Sequence, residues 1–223
     1  MSLLPDLKTS CTAQQAYRIF QTVLVELGVG VAPLKAACPV FMAQSALETA
    51  HWKSMHCWNW GNIRPGAGWP GDIVQIRCNE QFKPGVWTWF DPPRPGEPGY
   101  GDPRHGSSFR GFTSDLAGAR DYFATIQKHW PEAYAAALAG DAVAFVHGLK
   151  ARGYFTADEA PYRAAVASLV SSFANLGSGA LEPIPPFDWT GLAALRASQM
   201  DPEAWPLDTS HDQESGEAYH DGD

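Results

Sequence analysis

The 223-residue chain has no run of about 18 or more apolar residues, which excludes a membrane-spanning helix. Basic charge is scarce: 16 Lys and Arg stand against 24 Asp and Glu. A nucleic-acid binder needs a basic face, so no nucleic-acid partner is expected. Met1 to Ser10 contains no basic segment followed by an apolar one, so no secretory signal is expected. Gly-rich phosphate loops, a GxSxG elbow and an HExxH helix are also missing. Cysteine is sparse. Cys11, Cys38, Cys57 and Cys78 allow three pairings, and 11–38 with 57–78 competes with four buried free thiols. His51, His56, Cys57 and Cys78 match no standard zinc spacing, and neither a metal nor another cofactor is expected. A Cys57/His105 hydrolase is disfavoured, because Cys57 follows a helix C-terminus and His105 lies in a Pro/Gly loop.

The acids that are present are unevenly placed. Residues 201–223 hold Asp201, Glu203, Asp208, Asp212, Glu214, Glu217, Asp221 and Asp223 without any Lys or Arg. Removing these eight from the 24 leaves 16 acids against 16 bases, so the body is neutral. At 45% hydrophobic and 18% charged residues the chain is globular, and its length suits one domain with an appendage. The expected division is a catalytic-sized domain over 1–176, a Pro/Gly-rich extension with a short amphipathic helix over 177–205, and an acidic tail over 206–223. Trp189 and Trp205 are expected to anchor the extension on the body.

Tyr17, Phe20, Leu24 and Leu27 recur at helical spacing and predict a helix over about 12–27, closed by Gly28. Pro39 suits a first helical position and predicts a second helix reaching His51, with a core stripe of Val40, Ala43, Leu47 and Ala50. Phe41, Gln44, Ser45 and Glu48 form its more polar side. Alternation predicts strands over 72–78, 86–90 and 109–112, paired in a small antiparallel sheet. Five prolines and four glycines make residues 91–106 a long loop. Further helices are expected after Thr113 or Ser114, from Pro131, from Asp141, and from about Asp158.

Glu48 ends the second helix, where the negative end of the helix dipole favours a protonated carboxyl. Six of the nine tryptophans (Trp52, Trp58, Trp60, Trp69, Trp87, Trp89) follow it closely. Indole faces pack on sugar rings, and glycosidic cleavage needs an acid that holds its proton near neutrality. The alternatives are a solvated surface acid for Glu48 and core packing for each Trp taken singly.

Three segments carry a resemblance. Phe41-Met-Ala-Gln-Ser-Ala-Leu-Glu48-Thr-Ala-His-Trp52 with Asn59-Trp-Gly-Asn-Ile-Arg64, then Phe109-Arg-Gly-Phe-Thr-Ser114, then Gly153-Tyr-Phe-Thr-Ala-Asp-Glu-Ala-Pro-Tyr162, resemble the bacterial glucosaminidases of glycoside hydrolase family 73 over about 12–173. The first segment alone also resembles other lysozyme-superfamily enzymes, among them family 19 chitinases and lytic transglycosylases. The resemblance implies an α+β, mainly α fold, a lysozyme-like helical lobe with a small antiparallel β lobe, acting on peptidoglycan. It implies Glu48 as general acid and Tyr162 as an active-site tyrosine, with Glu80 as the second carboxylate and Asp72 and Asp91 as runners-up. Gln44, Trp52, Trp58, Asn59, Trp60, Asn62, Trp87 and Tyr154 are the expected substrate-binding residues. The Asn-Trp-Gly-Asn-Ile turn and the Pro-rich 91–106 loop depart from the family pattern.

The expected reaction is cleavage of β-1,4 bonds, by two carboxylates or with attack by the substrate's own N-acetyl oxygen. Muramidase or lytic transglycosylase action on the same fold is one alternative, and a non-catalytic glycan-binding module of a virion or secretion apparatus is another. Expected partners are peptidoglycan glycan strands, with an immunity or delivery protein where the chain is an exported effector. A monomer is expected, acting in the periplasm or cell wall after release by lysis, on a virion or through a dedicated secretion system.

Overall fold

The computed structural model describes residues 1–66, 68–83, 86–155 and 158–176, and for residues 80–83, 86 and 87 the backbone alone. The extension over 177–205, including Trp189 and Trp205, and the tail over 206–223 lie outside the described residues. Among the described residues, no helix is long and apolar enough to cross a membrane.

Helix α1 spans Ala13–Glu26. Thr12 and Gln15 cap it reciprocally, each side chain accepting from the other's backbone N–H. It buries Tyr17, Phe20, Val23 and Leu24, and Gly28 turns the chain away with φ of 79°. Helix α2 spans Val31–Glu48, so it begins eight residues before Pro39, which sits inside it. An interior proline removes one helical hydrogen bond. Burial on every side of α2 outweighs that loss: Leu34, Ala37, Cys38, Val40, Phe41, Met42, Ala43 and Ala46 are all buried. The side carrying Gln44, Ser45 and Glu48 is buried as well, so Glu48 is not a solvated surface acid.

The remaining helices are α3 (Asp115–His129), α4 (Pro131–Leu138), α5 (Ala142–Ala151) and α6 (Glu159–Phe173). Ser114, Asp141 and Asp158 cap α3, α5 and α6 by accepting backbone N–H groups, and Pro131 opens α4. These helices pack with α1 around α2 in the main core.

Five short strands complete a mainly α, α+β architecture: β1 (Leu3–Leu4), β2 (Ile73–Gln75), β3 (Cys78–Lys83), β4 (Val86–Phe90) and β5 (Ser108–Arg110). The alternating stretch 72–78 is not one strand, because β2 ends at Gln75 and Cys78 opens β3. Nor is there one antiparallel sheet. β2 pairs antiparallel with β5 and parallel with β1, while β3 and β4 form a separate antiparallel hairpin with a bulge between Gln81 and Lys83. A second, small core of Cys57, Val74, Ile76 and Phe109 lies under the three-stranded sheet, with Leu4, Leu7 and Cys78 against it.

Candidate active site

The chain leaves α2 by an unusual route. Thr49 closes the helix with its N–H on the Ser45 carbonyl, and Ala50, His51 and Trp52 then take φ of 48°, 55° and 61°. Three successive left-handed non-glycine residues cost roughly 1–2 kcal/mol each. Side chains over-determine the turn. Thr49 Oγ1 donates to the Ser45 carbonyl at 2.6 Å and accepts Trp52 N–H at 3.1 Å, while Trp52 Nε1 donates to Ser45 Oγ at 3.0 Å. A second left-handed pair, Cys57 and Trp58, and a single one, Asn62, bring the chain back beneath the helix end. There Asn62 Nδ2 donates to the Glu48 carbonyl, one of the acceptors a helix C-terminus leaves without an intrahelical partner.

Glu48 itself is only 5% exposed. Its Oε1 accepts Tyr162 O–H at 2.8 Å and Gln44 Nε2–H at 3.3 Å. Gln44, one helical turn earlier, also donates to Tyr154 Oη at 2.6 Å, and Tyr154 O–H donates to the Gly61 carbonyl at 3.3 Å. Tyr122 of α3 donates to Gln44 Oε1. Burial, and then the neighbouring Glu48 carboxylate, hold the Tyr122, Tyr154 and Tyr162 hydroxyls well above the ordinary phenol range, so all three keep their protons. Helices α2, α3 and α6 thus place one carboxyl oxygen against fixed donors, an arrangement suited to handing over a proton and holding the charge left behind. The sequence reading missed Tyr122. Its signal was a tyrosine on the buried stripe of Ala119, Phe123 and Ile126, where a hydroxyl needs a partner.

Three of the tryptophans expected to stack on sugar are turned into the core. Trp52, Trp58 and Trp60 are 2%, 2% and 0% exposed, and packing in the core leaves their faces unavailable to a sugar ring. Phe20 sits edge-on to Trp60 at 5.0 Å, and Trp60 Nε1 donates to the Asp115 carbonyl at 3.0 Å. Gln44, Asn59, Asn62 and Tyr154 are buried too. Glu80 lies in β3 opposite Thr88, and Trp87 in β4 opposite Gln81; the side chains of both are outside the described residues. The runners-up are engaged elsewhere: Asp72 Oδ1 accepts the Ser2 N–H at 2.7 Å, and Asp91 pairs with Arg77 at 3.0 Å.

Polar side chains tie the sheet to this site. Asn59 Nδ2 donates to the Ile63 and Arg110 carbonyls at 2.8 and 3.0 Å, and its Oδ1 accepts Ile63 N–H at 2.8 Å. Arg110 donates to the Arg64 carbonyl, Thr125 and the Asp121 carboxylate, and lies 4.3 Å over the Trp69 ring. Arg64 donates to the Gly106 carbonyl at 2.6 Å, at the end of the 91–106 loop. Gln75 pins the middle of that loop through Gly99 and Gly101.

All four cysteines are free thiols, which replaces the pairing 11–38 with 57–78. Cys38 faces the Tyr17 carbonyl, Cys57 the Pro5 carbonyl and Cys78 the Gly106 carbonyl. Burial pushes Cys11 up to about 12 and Cys57 up to about 11, and raises Cys38 and Cys78 as well. A thiol held protonated in this way is no nucleophile, which removes the Cys57/His105 arrangement.

No family model matches the chain, and neither does any curated protein. Among solved structures, it is similar to the glycoside hydrolase domain of FlgJ from Salmonella typhimurium at 18% identity and a TM-score of 0.47, over 74% of this chain and 87% of that one. It is similar to a peptidoglycan hydrolase from Sphingomonas sp. A1 at 22% identity and a TM-score of 0.47, over 84% and 96%. It is also similar to the catalytic domain of the autolysin Auto from Listeria monocytogenes at 17% identity and a TM-score of 0.48, over 77% and 90%.

Proposed function

We propose that this chain is a peptidoglycan hydrolase of the N-acetylglucosaminidase type, cleaving β-1,4 bonds of the glycan strand with Glu48 as general acid. One observation carries the reading: the buried Glu48 carboxyl accepts Tyr162 O–H at 2.8 Å, a contact across 114 residues. The motif resemblance names the same two residues. Glu48 protonates the glycosidic oxygen as the C1–O bond breaks, and the positive charge developing at C1 is met either by a second carboxylate or by the substrate's acetamido oxygen. Glu80, the best positional match in the motif resemblance, is the carboxylate of choice for the first route. The catalytic unit in this reading is residues 1–176, its substrate the glycan of the cell wall or periplasm.

Glu48→Gln keeps the shape of the side chain and removes the transferable proton. Turnover of purified sacculi falls by at least ~10²–10⁴-fold, seen as loss of the cleared band in a peptidoglycan gel. A variant that clears like the wild type sinks the assignment. Mass spectrometry of the released fragments reads the bond: a reducing GlcNAc end is expected, whereas a reducing or anhydro MurNAc end means muramidase or transglycosylase action. Glu80→Gln separates the two routes, since only a two-carboxylate mechanism loses activity to a similar degree.

A further inference from the structure

The Tyr122 ring is fully buried, stacked on Phe20 at 5.4 Å and edge-on to Phe41 and Phe123. It has no route to a substrate, yet its hydroxyl lies two hydrogen bonds from the Glu48 carboxyl. The Tyr122 hydroxyl donates to Gln44 Oε1, with the Phe41 carbonyl a longer alternative at 3.2 Å. Gln44 Nε2 then faces Tyr154 Oη at 2.6 Å and Glu48 Oε1 at 3.3 Å. A side-chain amide accepts at one end and donates at the other, so whatever donates to Oε1 settles which end Glu48 meets. Turned the other way, Gln44 would set its carbonyl oxygen against a carboxylate oxygen, acceptor against acceptor.

We propose that Tyr122 is a positioning residue of the reaction: its hydroxyl holds the Gln44 amide so that Nε2 donates to Glu48 Oε1, and the transferred proton is carried on Glu48 Oε2. This rests on Glu48 being the general acid. As the proton passes from Oε2 to the glycosidic oxygen and the C1–O bond breaks, negative charge spreads to Oε1. The donors from Gln44 and Tyr162 already stand there, so no reorganisation accompanies the transfer. Without the Tyr122 hydroxyl the amide is free to turn, and the new carboxylate loses one donor.

The test uses the full-length chain on soluble glycan fragments from sonicated sacculi, with kcat, KM and pH profiles for four proteins. Tyr122→Phe keeps the ring packing; its kcat is expected to fall about 10–100-fold, the scale of a small misplacement of a reacting group. KM stays within about twofold, and the alkaline limb of the kcat profile moves to higher pH because the charged carboxylate is less stabilised. Gln44→Met breaks the same relay without touching Tyr122 and loses at least as much. Because Tyr122 acts through Gln44, the double variant is no slower than Gln44→Met alone, within about twofold. Wild-type kcat and pH profile in Tyr122→Phe, wild-type kcat in Gln44→Met, or losses that multiply in the double variant each overturn the inference. A wild-type protein that releases no sugar overturns the glycosidase reading instead. An active wild type and an inactive Glu48→Gln beside an unaffected Tyr122→Phe overturn this inference alone.

Discussion

Two cores hold this molecule, and they are built differently. Around α2 a continuous apolar cluster draws on all six described helices, and inside it the Gln44 amide and the Tyr122 and Tyr154 phenols satisfy one another beside the Glu48 carboxyl. Beneath β2 and β5 only Cys57, Val74, Ile76 and Phe109 are buried together. Four such side chains supply on the order of 6–12 kcal/mol at about 1.5–3 each. Ordering the strands and turns around them costs about 1–2 kcal/mol per residue, which offsets that gain. The small core therefore leans on polar side chains at its margin: Arg110 reaches Asp121 of α3, Asn59 ties the turn after α2 to the Arg110 carbonyl, and Arg64 ties the loop through the Gly106 carbonyl. The candidate site around Glu48 sits on the self-sufficient core, and the strands are fastened to it.

Cutting a fastening gives the largest effect. Arg110 and Asp121 join β5 to α3 with side chains only 10% and 15% exposed. Arg110→Met leaves the Asp121 carboxylate without its cation and costs roughly 3 kcal/mol in chemical denaturation. Hydrogen exchange is expected to quicken at Ile73–Gln75 and Ser108–Arg110 well before α2; equal loss of protection in α2 would erase the contrast between the cores. The pH dependence follows from the same pair. Burial raises the Asp121 carboxyl above its ordinary value of 3.8, more than Arg110 lowers it. The folded state then keeps a proton that the unfolded chain has lost, so this contribution to stability declines as pH rises through the raised value. In the Arg110→Met variant the cation that lowers the value is gone, so the window widens upward and stability goes on falling to higher pH than in the wild type.

Closing the gap between the helices and the left-handed turn ranks next. A Cβ on Gly118 of α3 would lie 1.9 Å from the Trp58 carbonyl oxygen. Gly118→Ala is expected to cost about 2 kcal/mol by forcing backbone apart, read as a lower denaturation midpoint. An unchanged midpoint would mean that the 57–62 turn is not rigidly seated on α3.

The smallest effect compares the cores through their thiols. With Cys57 raised to about 11 and Cys11 to about 12, native labelling near pH 8 is slowed. Half-buried Cys78 is expected to react first and Cys38, wholly inside the helical core, last. Denatured without reductant, the chain should take up four labels; fewer would reveal a disulfide.

Much of the helical frame was legible locally. Thr12, Ser114, Asp141 and Asp158 cap where their side chains allow, and Pro131 opens α4 as its fixed φ dictates. The start of α2 was misread because Pro39 looks like a boundary, and nothing within one or two turns of it shows that burial on all sides will carry the helix through. The pairing of Leu3–Leu4 with β2 joins residues 70 apart, and a two-residue strand has no period to detect. Composition likewise misled at Trp52, Trp58 and Trp60: an indole suits a sugar face and a core equally well.

The sequence by itself determined the order and type of the helices and the neutral body with its acidic end, and its motifs singled out Glu48 and Tyr162 as candidates, because capping, periodicity and motif spacing are local and survive in one dimension. Tertiary structure alone decided that the polar side of α2 faces inward and that Gln44 stands between Tyr122 and Glu48. It also decided that the sheet hangs on Asn59, Arg64 and Arg110. Tyr122 to Gln44, Asn59 to Arg110 and Arg64 to Gly106 join residues 78, 51 and 42 positions apart, and hydrogen-bond direction has no counterpart in the spacing of letters along a chain.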